Sequence, residues 1–217
     1  MPARSAGTER DDARLRAAIV AAGRRLRAGG LIAGTEGNLS IRVGDALLVT
    51  PAGRRKDELA PEDILVVPGA AGSGPTTGGP QPSTDIAIHR AVYAARPDVG
   101  AVVHAHLPAS MALTVAGEIP DPAALPETAL FLGRLPFVPF GEPGSEELAR
   151  RVAEALASGL PPVPCTVLLE RHGAVAVGVG QGVAALDLAV DRLELVEVLC
   201  RTWRDAVLLR AAIAARR

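Results

Sequence analysis

Four histidines stand in this chain of 217 residues, and the spacing of two of them is the first chemical clue. His104 and His106 are two apart, directly after the apolar run from Val99 to Val103. On a β-strand alternate side chains share a face, so both imidazoles project the same way and can share one ion. His172 precedes Gly173 between two strand-like segments, 167–170 and 174–177, which places it at a strand end or tight turn. From there it could point into the same cleft as the pair, or serve the turn alone; a metal site normally needs three or four ligands, so the pair by itself does not make one. Taken one at a time, the same histidines also read as polar residues satisfied at strand ends. The single lysine bears on this choice. A Schiff-base enzyme needs a desolvated lysine amine, whereas Lys56 follows Arg54 and Arg55 in a polar connection and is expected to be exposed and charged. If the protein does carbonyl chemistry, a metal is the expected electrophile.

Asp85 follows Pro82-Ser83-Thr84 where a helix should begin. Two readings stand for it: a first-turn carboxylate that complements the helix dipole, or a general acid/base facing a cleft. His89 lies one turn further on the same helix face, where it either orients that carboxylate or packs. Ser83 and Thr84 offer hydroxyls and N–H groups at a helix N-terminus, the chemistry that binds a phosphate dianion.

The elements that must position these groups can be read from periodicity and turn residues. Residues 11–29 carry Leu15, Ile19, Val20 and Leu26 among arginines and alanines and stop at Gly29-Gly30, as an amphipathic helix does. Two apolar segments, 40–43 and 46–50, flank the hairpin turn Gly44-Asp45. Residues 69–82 are almost entirely Gly, Pro, Ala, Ser and Thr and read as a surface loop. A helix over 84–95, a turn at 97–100 and a strand over 101–103 follow. Ser145-Glu146-Glu147 opens a helix over 145–158 with an N-cap and an acidic first turn. A final helix spans 182–215 with room for one break. The sum is an α+β fold of three layers, α/β/α, with a central, mostly antiparallel sheet flanked by helices.

At this point a resemblance becomes visible. GTEGNLSIR, LLVTPAGRRKDELAPEDI, PSTDIAIHRAVYAARPDVGAVVHAHLPASMALTV and LLERHGAVAVG resemble, in order, the motifs of class II aldolase/adducin proteins over roughly residues 12–200. The resemblance implies zinc, with Mn2+ or Co2+ as alternatives, held by His104, His106 and His172, and a catalytic acid/base at Asp85. Aldolases of the family carry a glutamate there, one methylene longer, while epimerase-like members can carry aspartate. It further implies a phosphate cradle of Gly37, Asn38, Ala52, Gly53, Ser83 and Thr84, with Ala52 where the family usually has threonine. The implied reaction cleaves a ketose 1-phosphate to dihydroxyacetone phosphate and an aldehyde through a metal-stabilised enediolate. The same site would serve a ribulose-phosphate-type 4-epimerase or a 3-oxo-acid phosphate decarboxylase, and a non-catalytic adducin-like binding module is the alternative of another class. Fuculose-phosphate-type aldolases use tyrosines for the leaving aldehyde; here Tyr93 is the single tyrosine, and the stretch 121–134 offers Glu127 and Thr128 instead.

Composition narrows the partners. A net charge of −1 with scattered basic residues supplies no stripe for nucleic acid. No apolar run reaches a membrane-spanning length, and residues 1–10 lack a signal-peptide core, so a cytoplasmic protein without a membrane partner is expected. With 48% hydrophobic residues, the 217-residue length suits one domain behind a disordered tail of residues 1–10. Cys165 and Cys200 have no metal or redox spacing and read as small buried residues. A homotetramer binding a small phosphorylated sugar completes what the resemblance implies.

Overall fold

The structure, a computed structural model, describes residues 6–69, 79–159 and 163–216. The Gly/Pro-rich connection therefore lies mostly outside the described residues, as do residues 1–5 of the expected tail. Residues 6–10 are helical instead: α1 runs Ala6–Ala28, with Glu9 in its first turn, where an acidic group favours the helix dipole. The chain continues through β1 (Asn38–Val43), β2 (Ala46–Val49), β3 (Leu65–Pro68), α2 (Ile86–Ala95) and β4 (Val99–Ala105). Then come α3 (Pro108–Val115), α4 (Pro126–Phe131), β5 (Phe137–Val138), α5 (Glu146–Ala157), β6 (Thr166–Leu169), β7 (Gly173–Val179) and α6 (Gly182–Ala214).

The strands form one sheet in the order β3-β2-β1-β4-β7-β6-β5. Only β5 and β6 pair in parallel, so the expected antiparallel character holds. The β1–β2 hairpin turns at Gly44, whose φ of 57° lies in the left-handed region such a turn requires. The Ser145 side chain accepts from Leu148 N–H and caps α5 as its sequence predicts. Helix α6 runs unbroken, and Cys200 on it is buried, whereas Cys165 is half-buried.

Alternation along the strands builds the two outer layers. On one face Leu39, Ile41, Ala101, Val103, Ala105, Ala174 and Ala176 pack with residues of α1, α3 and α6, including Ile19, Leu113 and Leu193. The alanines on that face let α6 come close: a Cβ at Gly178 would sit 1.6 Å from the Ala185 carbonyl oxygen. On the other face Val102, Val175 and Val177 pack with Ile88 and Val92 of α2 and Leu148, Val152 and Leu156 of α5. His104 shares a face with Val102, so β4 hands its imidazole to the side on which α2 begins.

Candidate active site

His104 sits near the end of a central strand, flanked by Asn38 of β1 and Val175 of β7. Its side chain is fully buried, and its Nδ1 donates to the Ala174 carbonyl at 3.0 Å. That bond fixes the tautomer and leaves Nε2 bare and aimed outward. His106, one residue beyond the strand, brings its own Nε2 to 3.1 Å from that of His104 and turns Nδ1 toward Glu36, whose carboxylate is 3.6 Å away. The His172 ring completes a triangle, with centroids 4.7, 4.8 and 4.9 Å apart. Ligand nitrogens from all three lie within 4.8 Å of one another. Burial pushes His104 well below the ordinary imidazole value, and its two neighbouring rings push it further; burial followed by His106 lowers His172. Both shifts suit neutral nitrogen donors at His104 and His172. His172 Nδ1 is buried without a hydrogen-bond partner, a group that normally finds one. A divalent cation shared among these nitrogens fits the donor set, which suits zinc and neighbouring transition metals.

The turn that delivers His172 is under steric control. Arg171 adopts φ 57° and Gly173 φ 86°, and a Cβ on Gly173 would stand 2.1 Å from the Ala105 carbonyl oxygen. Only glycine lets the turn press against the strand carrying the other two histidines. Gly173→Ala should therefore cost on the order of 3 kcal/mol from left-handed strain and overpacking. Thermal unfolding should fall by roughly 10 °C, and an unchanged melting temperature would contradict the close approach.

Asp85, the N-cap residue of α2, is buried beside this cluster. Its Oδ1 accepts from Gly144 N–H at 3.0 Å, while Oδ2 stands 4.0 Å from His104 Nε2 and accepts from Asn38 Nδ2 at 3.4 Å. Asn38 Nδ2 also donates to Ser83 Oγ at 3.1 Å. Gly37 comes within reach through its φ of 73°, since a Cβ there would meet the His104 carbonyl oxygen at 2.9 Å. Ala52 N–H donates to the Gln81 carbonyl at 2.8 Å, and Pro51 bridges Pro82, which sets the Ala52-Gly53 turn beside the Ser83-Thr84 turn. Ala52, Gly53 and Thr84 are exposed at this rim. Asn38, Ser83 and Asp85 are thus joined by hydrogen bonds with the Asp85 carboxylate standing beside His104, and the other residues expected at a phosphate cradle lie on adjoining turns. Glu36, Gly144 and the Ala174 carbonyl are contributors that the sequence reading did not assign. Glu36 and Ala174 stand inside the recognised motifs, whereas Gly144 has no local signal beyond its Pro-Gly turn.

Lys56 corrects an expectation. It is 2% exposed, not solvated, because its backbone packs under α1 at Gly23, where a Cβ would meet the Lys56 carbonyl at 2.5 Å. Its Nζ donates to the Thr35 and Arg54 carbonyls, both at 2.7 Å, and so ties the turn before Gly37 to the turn after Gly53. Burial lowers it from the ordinary 10.5 to about 8. The unfolded chain then holds the proton more tightly than the folded one, which penalises folding below about pH 8. That penalty fades as pH rises toward the unfolded-chain value. The stability of wild type relative to Lys56→Met should accordingly increase between pH 8 and 10 in denaturant titrations; a flat difference would contradict the buried ammonium.

Tyr93 is buried with its hydroxyl against Ser40, and Thr128 Oγ1 donates to the Pro122 and Leu125 carbonyls while Glu127 is exposed. A cavity of about 1170 Å3 opens at the opposite end of the sheet, beside Val43, Val99 and Gly182. It contains none of the histidines, so donor chemistry and not void volume marks the site.

This combination of sheet, helices and histidine motifs is that of one family. The model described as Class II Aldolase and Adducin N-terminal domain matches residues 17–204, and the chain belongs to that family. Among its relatives, 5-methylthioribulose-1-phosphate/5-deoxyribulose-1-phosphate aldolase of Rhodospirillum rubrum is 38% identical over 191 residues, covering 88% of this chain and 80% of the relative. A 3-oxo-tetronate 4-phosphate decarboxylase of Cupriavidus necator is 33% identical, covering 89% and 87%. The crystal structure of L-fuculose-1-phosphate aldolase from Thermus thermophilus superimposes with a TM-score of 0.80 at 33% identity, over 92% of this chain and 97% of that one. Among the described residues no helix is long and apolar enough to cross a membrane.

Proposed function

We propose that this protein is a metal-dependent lyase that cleaves a ketose 1-phosphate to dihydroxyacetone phosphate and an aldehyde. The observation that carries the reading is the Asp85 carboxylate standing 4.0 Å from His104 Nε2 at the edge of three converging imidazoles. His104, His106 and His172 would hold the divalent ion, which when bound supplies Lewis acidity to the substrate's carbonyl and hydroxyl oxygens. Asp85 does the proton work. Its Oδ1 is pinned by Gly144, which leaves Oδ2 to take up the proton that the substrate hydroxyl loses as the carbon–carbon bond breaks and to pass it to the freed carbon, with both transfers retraced in the reverse direction. Ser83 Oγ, oriented by the Asn38 amide, and the N–H groups of the Gly37, Gly53 and Thr84 turns would supply donors for the phosphate. The compounds named for the Rhodospirillum relative, 5-methylthioribulose-1-phosphate and 5-deoxyribulose-1-phosphate, are the first substrates to try.

Zinc as the ion and a homotetramer as the assembly belong to the same reading. Imidazole donors support the first, and exposed Leu208, Leu209 and Ile213 near the end of α6 support the second. A second reading, loss of carbon dioxide from a 3-oxo-acid phosphate, is favoured by the Cupriavidus relative. Purified protein incubated with ketose 1-phosphates and 3-oxo-acid phosphates, followed by mass spectrometry, separates them. Dihydroxyacetone phosphate is the expected product; decarboxylation alone would move the assignment to the second reading. Turnover of neither substrate would leave a binding module.

A further inference from the structure

We infer that His89 is a positioning residue: a buried hydrogen-bond relay running from Tyr93 through Ser40 and His89 fixes which way the Asn38 amide points, and so holds Asn38 Nδ2 on Ser83 and Asp85. The inference rests on the proposed reaction only where turnover is the readout.

Asp85, His89 and Tyr93 are spaced four residues apart and line the buried side of α2 from its N-cap onward. Facing them, β1 presents Asn38 and Ser40, which are two residues apart and so share one side of the strand. His89 stands between these two side chains, fully buried, with Nε2 at 2.5 Å from Asn38 Oδ1 and Nδ1 at 2.6 Å from Ser40 Oγ. The Tyr93 hydroxyl is 2.8 Å from Ser40 Oγ and 3.1 Å from the Ser40 carbonyl oxygen.

Hydrogen-bonding capacity gives every link one direction. A carboxylate only accepts, so the Asn38 atom facing Asp85 must be the amide nitrogen, and the amide oxygen is left facing His89. That oxygen needs a donor, which can only be His89 Nε2–H. Burial lowers His89 to about 3, so its ring is neutral and carries a single N–H. Nδ1 is then bare and accepts from the Ser40 hydroxyl, and Tyr93 donates to the Ser40 oxygens. The relay thus starts at a phenol that can give a proton to a hydrogen bond and ends at a carboxylate that can only receive one. A one-way chain of this kind denies Asn38 its flipped orientation, in which Oδ1 would confront the Asp85 carboxylate.

Side-chain geometry supplies a selective test. Glutamine places its amide nitrogen where Nε2 stands and can still donate to Asn38, whereas asparagine reaches only the position of Nδ1. His89→Asn and His89→Phe should each lower kcat by roughly 10–100-fold with metal content unchanged, the scale typical of lost outer partners of a site. His89→Gln should recover most of that loss. Equal rates in His89→Gln and His89→Asn, or wild-type kcat in His89→Phe, would overturn the relay. Nitrogen NMR of the histidine rings reads the same claim without turnover. A His89 ring protonated on Nε2 and bare on Nδ1 is expected, and the opposite tautomer would refute the relay even in a protein that proved inactive on ketose 1-phosphates. Conversely, inactivity of the wild type alongside the expected tautomer would count against the proposed reaction alone.

Discussion

His104→Ala should remove bound metal and turnover together, with kcat/KM falling by more than about a thousandfold. The estimate follows from the several kcal/mol that a Lewis-acidic ion contributes to a charge-developing transition state, at about 1.4 kcal/mol per factor of ten. His104 is the ring best placed to make the loss complete. It is fully buried, its tautomer is set by the Ala174 carbonyl, and it is nearest both His106 and Asp85. Alanine there leaves two partly exposed imidazoles, a donor set too small for a tight site. Elemental analysis and steady-state kinetics on the same preparation check the result. Full metal content in an inactive variant would mean that the ion is held elsewhere.

Asp85→Asn should separate the two functions that His104→Ala removes together. Asparagine keeps the shape and can still accept from Gly144 N–H, so the metal should stay. It cannot carry a proton between substrate and solvent, and kcat should drop by roughly 10²–10⁴-fold, the usual contribution of a positioned acid/base. The group of side chains that could hold a cation consists of the three histidines without Asp85, which is why retention of metal is expected. An undiminished rate would leave Asp85 only its structural bonds to Gly144 and Asn38 at the start of α2.

Local sequence carried the site's frame unusually far because its parts sit on short periodic patterns. The two-residue spacing of His104 and His106 fixes their common face whatever else surrounds the strand. Gly44-Asp45 and Ser145 specify their hairpin and cap by backbone conformation and one side-chain bond, both local effects. What stayed illegible depends on distant partners. Strand β5 has two residues and exists only through its parallel pairing with β6. Helices α3 and α4 are short, and each starts at a proline that reads equally well as a turn. Lys56 looked solvated beside two arginines, but α1 covers it through contact at Gly23. The stripe of Asp85, His89 and Tyr93 was visible as a spacing, yet its meaning lies in Asn38 and Ser40 on a strand some fifty residues earlier. The proposed acid/base role of Asp85 rests on the resemblance to family motifs, since a carboxylate at a helix start is common in helices of every function.

The central claim is that three imidazoles gather around one divalent cation with room left for a substrate. X-ray absorption at the metal edge, on protein whose metal content has been counted, tests it most directly. One ion per chain surrounded by imidazole nitrogens and lighter exchangeable ligands is the predicted result. A preparation carefully loaded with zinc that retains no ion, or holds it through sulfur, would contradict the account.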